Sequence, residues 1–533
     1  MMRKLLICCV LGLVSLGSGA AGRTDFATLR SMADKGTPVI TDVLTNFVFA
    51  EDVTELLVTD IARNTYIEGY IVGSPSLFPR NENLEIAWQL GSKSASPKNN
   101  ARTMYIESTD GKYGFRLLFD NPNDAKNAGK LFGLLELNLK GTRLVKEYNY
   151  YVITGLTADN VIGYESGKEE YLPQKRKSVA ELCDDDIFTW VQVQDCEFVF
   201  KGGAWMNVRE TYMVRSKTGR YAGNGWMNSW RRLVYDKQGN SLYLGLDGKL
   251  KDRRIGDGVP KGSGEVAGVL TASYMPRYGR VREYTLRPPS LEEVRFAREG
   301  DGAWKTVCGW DWNTLSKGLN PAEYGKGTLF TDCPGVIARF ADCDNPSIDL
   351  PKENPASRGS YGNVDNGALC IKARSCDWWN WDTDEACGLD ISFSTQGIKA
   401  RTLVLAYTFA AGQFNQPTSC WYPSEWAVSC SVDGGPFVLL EGSQADLRSL
   451  PYSGGEVEGK NYETSAEAGI GYTEHIVSLP SSVQGHEIVT LRLAPRSRKA
   501  AGMGYLHRDI LDISRESVHP CVVNFGEIQV RYR

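Results

Sequence analysis

The chain has 533 residues, of which 42% are hydrophobic and 23% charged, and its formal net charge is −4. This length argues against a single domain, because one hydrophobic core stops growing well below it, and two to four domains are expected. The mildly acidic balance argues against bulk attraction to nucleic acid or anionic membranes. With 11% aromatic residues, 55 glycines and few long helical patterns, the composition favours β structure with many turns.

Residues 1–22 form a predicted export signal. Arg3 and Lys4 precede the apolar run from Leu5 to Leu16, and small residues follow it. This run is too short to span a bilayer and no other segment is apolar enough, so no membrane span is predicted. Lipid attachment at Cys9 is the alternative. Export would place the protein in the periplasm, on the outer-membrane surface or outside the cell.

Removal of this signal changes the net charge from −4 to −6 and the number of cysteines from 13 to 11. Disulfides are permitted outside the cytoplasm, but an odd number of cysteines leaves at least one thiol unpaired. Nine of the 11 cysteines follow residue 300. This uneven distribution indicates a domain boundary near that position.

In chain order, residues 23–62 are predicted to form a short helix and an edge strand that pack on the first of two small β units. That unit, residues 63–172, contains short alternating runs such as TYIEGYIVG and YYVITGL, closed by Gly, Asp or Ser. Such runs are typical of strands in a small barrel or sandwich. A looser version of the same order occupies residues 173–300, so two related five-stranded units are predicted.

Residues 301–533 form a third predicted unit. The runs GLDISFSTQG, RTLVLAYTFA, EWAVSCSVDGG and FGEIQVRYR are separated by turns at intervals suited to a β-sandwich. No long amphipathic helix appears among them, which argues against an α/β catalytic fold in this unit.

Several of these runs resemble known families. IEGYIVGSP with NNARTMYIESTDG, LNLKG and VITGL resembles an OB-fold-like domain of unknown function found in exported proteins of Gram-negative anaerobes, and GSGEVAGVLTASY is similar to its closing half. GLDISFSTQGIKARTLVLAYTF with EWAVSCSVDGGPF resembles jelly-roll sandwiches of the carbohydrate-binding-module type. The resemblance covers most of residues 63–533 and implies a mainly β chain of two OB-fold-like barrels followed by a jelly roll. It implies no catalytic residues, and the basic, aromatic insertion at 221–254 departs from it.

The usual catalytic signatures are missing from the sequence. There is no GxSxG, P-loop, HExxH or paired CxxC motif, and the four histidines all follow residue 470. A non-enzymatic protein is therefore predicted. The alternative is a polysaccharide-cleaving enzyme, because glycoside hydrolysis needs only two carboxylates and the chain has 64 acidic residues.

The segment CIKARSCDWWNWDTDEACGLDISF, residues 370–393, combines cysteines, tryptophans and acids. Its cysteine spacing matches no compact zinc site. A bridge between Cys376 and Cys387 would close a loop around the tryptophans, and one between Cys420 and Cys430 would clip the neighbouring connection, each contributing about 2–4 kcal/mol. At least one disulfide is predicted and the pairing stays open. Cys430 lies in an alternating run and can equally be a small buried side chain.

Oxygen ligands in the same segment raise the question of a metal. Asn380, Asp382 and Asp384 alternate as at the start of a calcium loop. However, Glu385 stands where the sharp turn needs glycine, and Ile391 where the closing glutamate belongs. Acids lining a solvated loop are the favoured interpretation. An irregular structural calcium site is the alternative, and no other cofactor is predicted.

The tryptophans of this region favour a ligand surface. An aromatic face stacks on the apolar face of a sugar ring, while neighbouring acids or amides bond its hydroxyl groups. Consecutive residues of an extended strand cannot both face inward, so at least one of each adjacent pair should be exposed. The alternative is that these rings fill the core. The predicted ligand-binding residues are Trp378, Trp379, Trp381, Trp421 and Tyr422.

The OB-fold-like units suggest a second binding activity, because such barrels hold single-stranded nucleic acid with aromatic rings and a basic groove. The candidate residues are Trp230 and Arg231. Net negative charge and export argue against it, and a solvated strand edge is favoured there. The sequence thus predicts an exported protein that binds extracellular glycan or another surface polymer through its sandwich. A nucleic-acid-binding or nuclease-associated protein and a structural surface scaffold are the alternatives.

Overall fold

The computed structural model describes most of both β units and the two sheets of the sandwich. The residues described are 23–42, 53–74, 102–147, 149–200, 229–247, 260–275, 281–297, 302–312, 315, 318–331, 336–339, 369–373, 379–380, 385–386, 388–411, 422–423, 425–446, 456–457, 460–461, 473–496, 498, 500–501 and 521–533.

The predicted fold class, mainly β with small barrels and a sandwich, is confirmed. Two short α-helices occur in the described part, α1 (Phe26–Asp34) and α2 (Pro122–Asn127). Among the described residues, no helix is long and apolar enough to cross a membrane. Single turns of 3-10 helix lie at Ala158–Asn160, Glu169–Tyr171, Val179–Glu181, Asp184–Asp186, Leu291–Glu293 and Ser481–Val483.

The first barrel belongs to one sheet between residues 37 and 165. Its strands are β1 (Thr37–Asp42), β2 (Val53–Asp60), β3 (Tyr66–Gly73), β4 (Thr103–Ser108), β5 (Gly114–Phe119), β6 (Leu134–Asn138), β7 (Arg143–Glu147), β8 (Tyr150–Leu156) and β9 (Val161–Glu165). β3 pairs with β4, β4 with β5, β5 in parallel with β8, and β8 with β7. Four residues connect β6 to β7, and β6 pairs with β3. β6 and β7 therefore act as one bent strand that closes the barrel.

Helix α1 caps this barrel. Phe26, Leu29 and Ala33 recur at helical spacing and are buried with the barrel core, where the rings of Phe26 and Phe115 meet edge to face at 5.2 Å. The Asp25 carboxylate begins the helix by accepting a hydrogen bond from the Thr28 amide at 2.7 Å. The hairpin of β1 and β2 extends the sheet through pairing of β2 with β7.

The second barrel repeats this arrangement. Its strands are β10 (Arg176–Lys177), β11 (Trp190–Phe198), β12 (Ser229–Tyr235), β13 (Ser241–Asp247), β14 (Gly264–Met275), β15 (Val281–Arg287) and β16 (Val294–Phe296). β11, β12 and β13 pair in order, β13 pairs in parallel with β15, and β14 pairs with both β15 and β11. The single long strand β14 therefore closes the second barrel, as β6 and β7 together close the first.

Closure by β14 depends on Gly268. This residue lies where β14 passes from β11 to β15, and a Cβ atom there would lie 2.5 Å from the Arg287 carbonyl oxygen. Only glycine permits this approach. Both barrels thus have the five-stranded path, with one parallel pair, expected of OB-like barrels.

The sandwich follows. Its strands are β17 (Lys305–Trp310), β18 (Gly318–Pro321), β19 (Tyr324–Gly325), β20 (Gly327–Thr331), β21 (Val336–Arg339), β22 (Leu369–Ala373), β23 (Trp379–Asn380), β24 (Glu385–Ala386), β25 (Leu389–Phe393), β26 (Leu403–Ala411), β27 (Tyr422–Pro423), β28 (Glu425–Val432), β29 (Val438–Leu439), β30 (Ala445–Asp446), β31 (Glu456–Val457), β32 (Lys460–Asn461), β33 (Thr473–Leu479), β34 (Val489–Pro495), β35 (Ala500–Ala501) and β36 (Cys521–Tyr532).

Two sheets face each other. In the first sheet, β26 lies between β33 and β36. The other edge of β36 pairs with two strands, with β22 along its first half and with β17 along its second half. In the second sheet the order is β18, β20, β25, β34, β28, β29. From β22 onward the long strands alternate between the sheets along the chain, which is jelly-roll winding. Side chains from both sheets, including Trp310, Phe409, Ile391 and Leu491, form one core.

The two barrels meet at a buried contact, called the first joint. Tyr105 on β4 and Tyr150 on β8 pack with Phe188, Trp190 and Val269 of the second barrel. The Phe188 ring stacks on Tyr105 at 4.9 Å, and the Tyr150 hydroxyl donates a hydrogen bond to the Ala272 carbonyl oxygen. The outer face of β4 is therefore covered.

A Cβ atom on Gly114, at the start of β5, would lie 2.3 Å from the Phe188 carbonyl oxygen. The backbones at the first joint thus approach closely enough to require glycine at this position.

The second barrel docks on the first sheet of the sandwich, at the second joint. Leu233 and Tyr235 of β12 pack with Val404 and Ala406 of β26 and with Trp304, whose ring stacks on Tyr235 at 4.5 Å. OB-like barrels bind ligands on the face of their second and third strands. Those strands are β4 and β5 in the first barrel and β12 and β13 in the second, so each barrel uses this face to hold the next unit.

Candidate ligand-binding face of the sandwich

The second sheet has its outer side turned away from the core. Alternation along β25 buries Leu389, Ile391 and Phe393 and leaves Asp390 and Ser392 outside, and β34 repeats the pattern with Thr490 and Arg492 outside. Here this outer side is called the open face, and it is defined by Leu319, Phe330, Asp390, Ser392, Phe437, Leu439, Thr490 and Arg492.

An arginine–carboxylate pair lies in the middle of the open face. Asp390 and Arg492 are opposite each other on β25 and β34, and the guanidinium group donates two hydrogen bonds, Nε to Oδ1 and Nη2 to Oδ2, both at 2.8 Å. This fork geometry fixes both side chains, because two parallel bonds remove their rotational freedom. The pair is half-buried and has no net charge.

Aromatic and aliphatic side chains extend the row on both sides of the pair. Strand register places Phe330 beside Asp390 and Leu319 beside Phe330, and these two side chains are 45% and 58% exposed. On the other side, the ring of Phe437 lies over the Arg492 guanidinium group at 4.1 Å while remaining 38% exposed. The pair is thus flanked by two exposed aromatic rings.

A second row, of hydroxyl groups, runs parallel to the row that contains the Asp390–Arg492 pair. Ser392 pairs with Thr490 in register, and their hydroxyl oxygens are 2.9 Å apart. Beyond them, at the end of β34, the His486 ring nitrogen lies 2.7 Å from the Asp433 carboxylate, and this hydrogen bond holds the pKa of Asp433 below its usual range. The open face therefore combines apolar rings, a fixed ion pair and neutral hydrogen-bonding groups.

Such a surface suits a ligand with alternating apolar and hydroxyl-bearing faces. An exposed phenyl ring packs against C–H groups, the carboxylate accepts hydrogen bonds from hydroxyls, and the guanidinium donates to ring or hydroxyl oxygens. Within the described residues, no group of three or more His, Cys, Asp and Glu side chains could hold a metal ion.

The predicted aromatic surface is placed only in part. Trp378, Trp381 and Trp421 lie outside the described residues. Trp379 belongs to β23, which pairs with β24 as a small hairpin, but its side chain is not among those described. Tyr422 is 3% exposed and packs against Phe409 in the sandwich core. The prediction that Tyr422 binds ligand is therefore wrong, because at this strand position its ring faces inward.

Of the predicted disulfide and metal residues, the structure describes the side chain of Cys430. Cys430 is a free thiol that faces the core from β28, so a bridge from Cys420 to Cys430 is not formed. Burial raises the pKa of the Cys430 thiol, as expected for an inert packing residue. Cys376, Cys387 and Cys420 lie outside the described part of the chain. So do Asp382, Asp384 and the side chain of Asn380, and the calcium interpretation stays a prediction.

The basic, aromatic segment near Trp230 and Arg231 was predicted to be a solvated strand edge, but one of its arginines is buried. These two residues begin β12, with side chains outside the described set, but the next residue, Arg232, is fully buried. Its Nε donates to the Glu474 carboxylate at 2.9 Å, and its Nη2 donates to the Phe200 carbonyl oxygen at 2.9 Å. Arg232 thus holds the second joint instead of facing solvent or a nucleic acid.

A pair of carboxyl groups on the first sheet is the other chemically notable feature. Burial and, to a smaller extent, nearby Asp311 raise the pKa of Glu527 to about 8, partly opposed by the hydrogen bond that Gln529 donates to its Oε1 at 2.8 Å. Asp311 is buried and accepts a hydrogen bond from the Tyr324 hydroxyl. Nothing in the sequence singled out these acids from the other carboxylates.

Comparison with known proteins adds little to this description. No family model matches the chain, so the resemblance to a family stays a prediction, and no curated protein matches it. Among solved structures, the K2 adhesin domain of Lys-gingipain is similar at 12% identity over 43% of this chain and 97% of that domain, with a TM-score of 0.21. The K1 adhesin domain from Porphyromonas gingivalis W83 matches at 12% identity, with 39% and 99% coverage and a TM-score of 0.18.

A Stig cyclase from Fischerella sp. TAU matches as well, at 10% identity, covering 43% of this chain and 85% of that one, with a TM-score of 0.16. Adhesin domains and an enzyme therefore score alike. The strand pairings of this chain, and not these similarities, establish its architecture.

Proposed function

We propose that the protein is an exported, non-enzymatic binder of extracellular glycan or another surface polymer. The open face carries the proposal, because its fixed Asp390–Arg492 pair lies between the exposed rings of Phe330 and Phe437. The predicted export signal at residues 1–22 supports an extracellular or surface location. The two barrels serve as connecting units, since their ligand faces are occupied by neighbouring units.

The hairpin that carries Trp379 extends this proposal. We infer that Trp378, Trp379, Trp381 and Trp421 add stacking surface for the same polymer, since tryptophan is the side chain best suited to packing on sugar rings. This contribution is tested separately from the open face by Trp379→Ala, which leaves the row of Phe330, Asp390 and Arg492 unchanged.

The test is binding of the mature chain, residues 23–533, to a panel of neutral and acidic polysaccharides. Phe330→Ala and Phe437→Ala should each weaken binding by about two- to tenfold, which corresponds to the roughly 0.5–1.5 kcal/mol of an aromatic contact. Tyr171→Ala is the matched control, because Tyr171 is an aromatic residue of the first β unit that is 54% exposed. Binding that survives both phenylalanine changes would exclude the open face. No binding to any polysaccharide would favour the structural scaffold.

Glycan cleavage is the second candidate function, favoured by one observation. Glu527, whose pKa is raised to about 8 by burial and by nearby Asp311, has a second carboxyl group beside it, and a pair of carboxyl groups is what glycoside hydrolysis requires. Release of reducing ends that is lost in Glu527→Gln but kept in Glu425→Gln would establish this function. An unchanged polysaccharide after prolonged incubation would exclude it for that substrate.

A further inference from the structure

The first joint contains a buried carboxyl group that forms no ion pair with any of the described residues. Glu107 lies on the outer face of β4 and is 1% exposed. Its Oε2 accepts a hydrogen bond from the Trp190 amide of the second barrel at 2.8 Å, while its Oε1 has no hydrogen-bond partner in the part of the chain that the structure describes. Ionised, this group would leave a charge in the contact between the barrels, which is costly without a paired cation.

The charged groups around Glu107 are engaged elsewhere. From the second barrel, Lys175 is held by the Asp186 carboxylate at 3.2 Å and by the Thr189 hydroxyl at 3.0 Å. From the first barrel, Asp110 in the turn after β4 accepts a hydrogen bond from the Ser108 hydroxyl at 2.6 Å and adds negative charge near Glu107.

The other titratable groups described at this contact are two aspartates and four tyrosines. Asp184 accepts hydrogen bonds from the Tyr284 hydroxyl at 2.6 Å and from the Asn149 side-chain amide of the first barrel, and Asp185 forms an ion pair with Arg30 at 2.9 Å across the joint. The tyrosines are Tyr70, Tyr105, Tyr150 and Tyr284. Both barrels lack histidine, because all four histidines follow residue 470. Among the described residues of the first joint, Glu107 is therefore the buried carboxyl group that no cation binds, which suits it to titrate near neutral pH.

Backbone strain is concentrated at the same contact. Phe132 and Phe188 have φ values of +66° and +65°, in the left-handed region that bulky side chains rarely occupy. Phe188 stacks on Tyr105, and Phe132 meets Trp190 edge to face at 5.1 Å. Each such residue costs about 1–3 kcal/mol and persists only while the surrounding packing holds it. Within its own barrel, the Phe132 amide also donates to the Ile71 carbonyl oxygen and the Phe188 amide to the Leu270 carbonyl oxygen, both at 2.7 Å, so each barrel presents a fixed aromatic ring to the contact.

We propose that the first joint is a pH-sensitive connection, closed while the Glu107 carboxyl group is protonated and loosened when it ionises. The inference goes beyond glycan binding, since it concerns how the first barrel is held to the rest of the molecule. Acid strengthens the contact, because a protonated carboxyl group keeps its hydrogen bond to the Trp190 amide without a buried charge. Alkali weakens it, because only separation of the barrels returns the carboxylate to water.

The direction and range of the response follow from two pKa values. Burial raises the pKa of Glu107 to about 7 in the closed joint, partly opposed by the Trp190 amide and Lys175, against 4.5 when the group is solvated. Stability of the contact is fully present below pH 4.5 and is lost as pH rises toward about 7, after which the loss is complete. Between pH 5 and pH 7.5 the opening constant should rise roughly 50-fold.

Hydrogen exchange of the mature chain tests the proposal, with peptides that cover β4 and the start of β11. Exchange in Glu107→Gln is compared with wild type at the same pH, so that the intrinsic pH dependence of exchange cancels. At pH 7.5 wild type should exchange roughly 200-fold faster than the variant at the joint, and at pH 5 the two should differ by less than about fivefold. Glu265→Gln, at a partly exposed position of the second barrel where the carboxylate pairs with Arg295, is the matched control and should behave as wild type.

Two further measurements decide the outcome. Glu527→Gln, which removes the raised carboxyl group of the sandwich, should leave exchange at the first joint unchanged. Wild-type exchange at the joint, corrected for intrinsic rates, must also rise between pH 5 and pH 7.5, and this needs no variant to fold. A corrected rate that is the same at both pH values, or a rise that persists in a folded Glu107→Gln protein, would overturn the proposal.

Discussion

The two joints of this protein each bury a glutamate, but they differ in what compensates its charge. Each covers the ligand face of an OB-like barrel, and each buries a glutamate that accepts a backbone amide from across the contact. In the second joint, Glu474 is also bound by the Arg232 guanidinium group at 2.9 Å, and both side chains are fully buried. In the first joint, the one hydrogen bond to Glu107 among the described residues comes from the Trp190 amide.

The difference shows what a buried charge needs. A cation within hydrogen-bonding distance lets a carboxylate stay ionised inside a contact, whereas one amide does not compensate for the loss of water. The second joint is further tied by Arg531, which donates to the carbonyl oxygens of Val199 at 2.8 Å and Trp304 at 3.2 Å. We therefore expect the second barrel and the sandwich to stay together under conditions that release the first barrel.

The largest expected loss of stability comes from removing the cation that pairs with the buried glutamate of the second joint, so that this joint resembles the first. Arg232→Met removes the cation and leaves the Glu474 carboxylate buried and unpaired, which should lower the free energy of unfolding by about 3–5 kcal/mol. Calorimetry of the mature chain measures this loss. Arg295→Ala removes an exposed network of ion pairs and should cost less than about 1 kcal/mol. A loss as small in Arg232→Met would mean that the buried pair does not hold the joint.

A somewhat smaller effect is expected from removing the charge at the first joint. Glu107→Gln should raise the free energy of unfolding by about 3 kcal/mol at pH 8, because the wild-type group must ionise in a buried site there, and by less than about 1 kcal/mol at pH 5. Denaturant titration at the two pH values measures the difference. An equal gain at both values would point to better packing of the amide, not to ionisation.

The smallest expected effect compares one tyrosine hydroxyl at each joint. The Tyr150 hydroxyl donates to the Ala272 carbonyl oxygen at the first joint, and the Tyr243 hydroxyl donates to the Glu474 carbonyl oxygen at 3.0 Å at the second. Tyr150→Phe and Tyr243→Phe should each cost about 1 kcal/mol, since each leaves a carbonyl group unsatisfied. The thermal midpoints of both variants provide the measurement, and a much larger loss for Tyr150→Phe would show that the first joint depends on this bond more than on packing.

The fold class could be predicted from the sequence because it depends on local pattern. Alternation in runs such as YIEGYIVG and GLDISF and the turn residues between them give strands, turns and their spacing directly. What lies outside local pattern was missed. Arg232 and Glu474 are 242 residues apart, and only the docking of the second barrel on the sandwich brings them together.

The open face was missed for the same reason. Phe330, Asp390 and Arg492 come from three strands, with about 60 and 100 residues between successive members, and each looks like an ordinary strand residue. The sequence favours Trp378 and Tyr422 instead, because each stands next to another aromatic residue and such pairs form a recognisable motif. For Trp421 and Tyr422, alternation predicts that at least one residue of the pair is exposed, but it does not say which one.

The central claim is that the sandwich, and not either barrel, presents the ligand surface. Hydrogen exchange of the mature chain with and without the tightest-binding polysaccharide of the panel, and in parallel with a single-stranded dT oligonucleotide, tests it most directly. The account predicts slower exchange in β20, β25 and β34 on adding the polysaccharide, and no change with the oligonucleotide. Protection of β4 and β5, or of β12 and β13, by either compound would contradict it, because those strands would then have to leave their joints to bind.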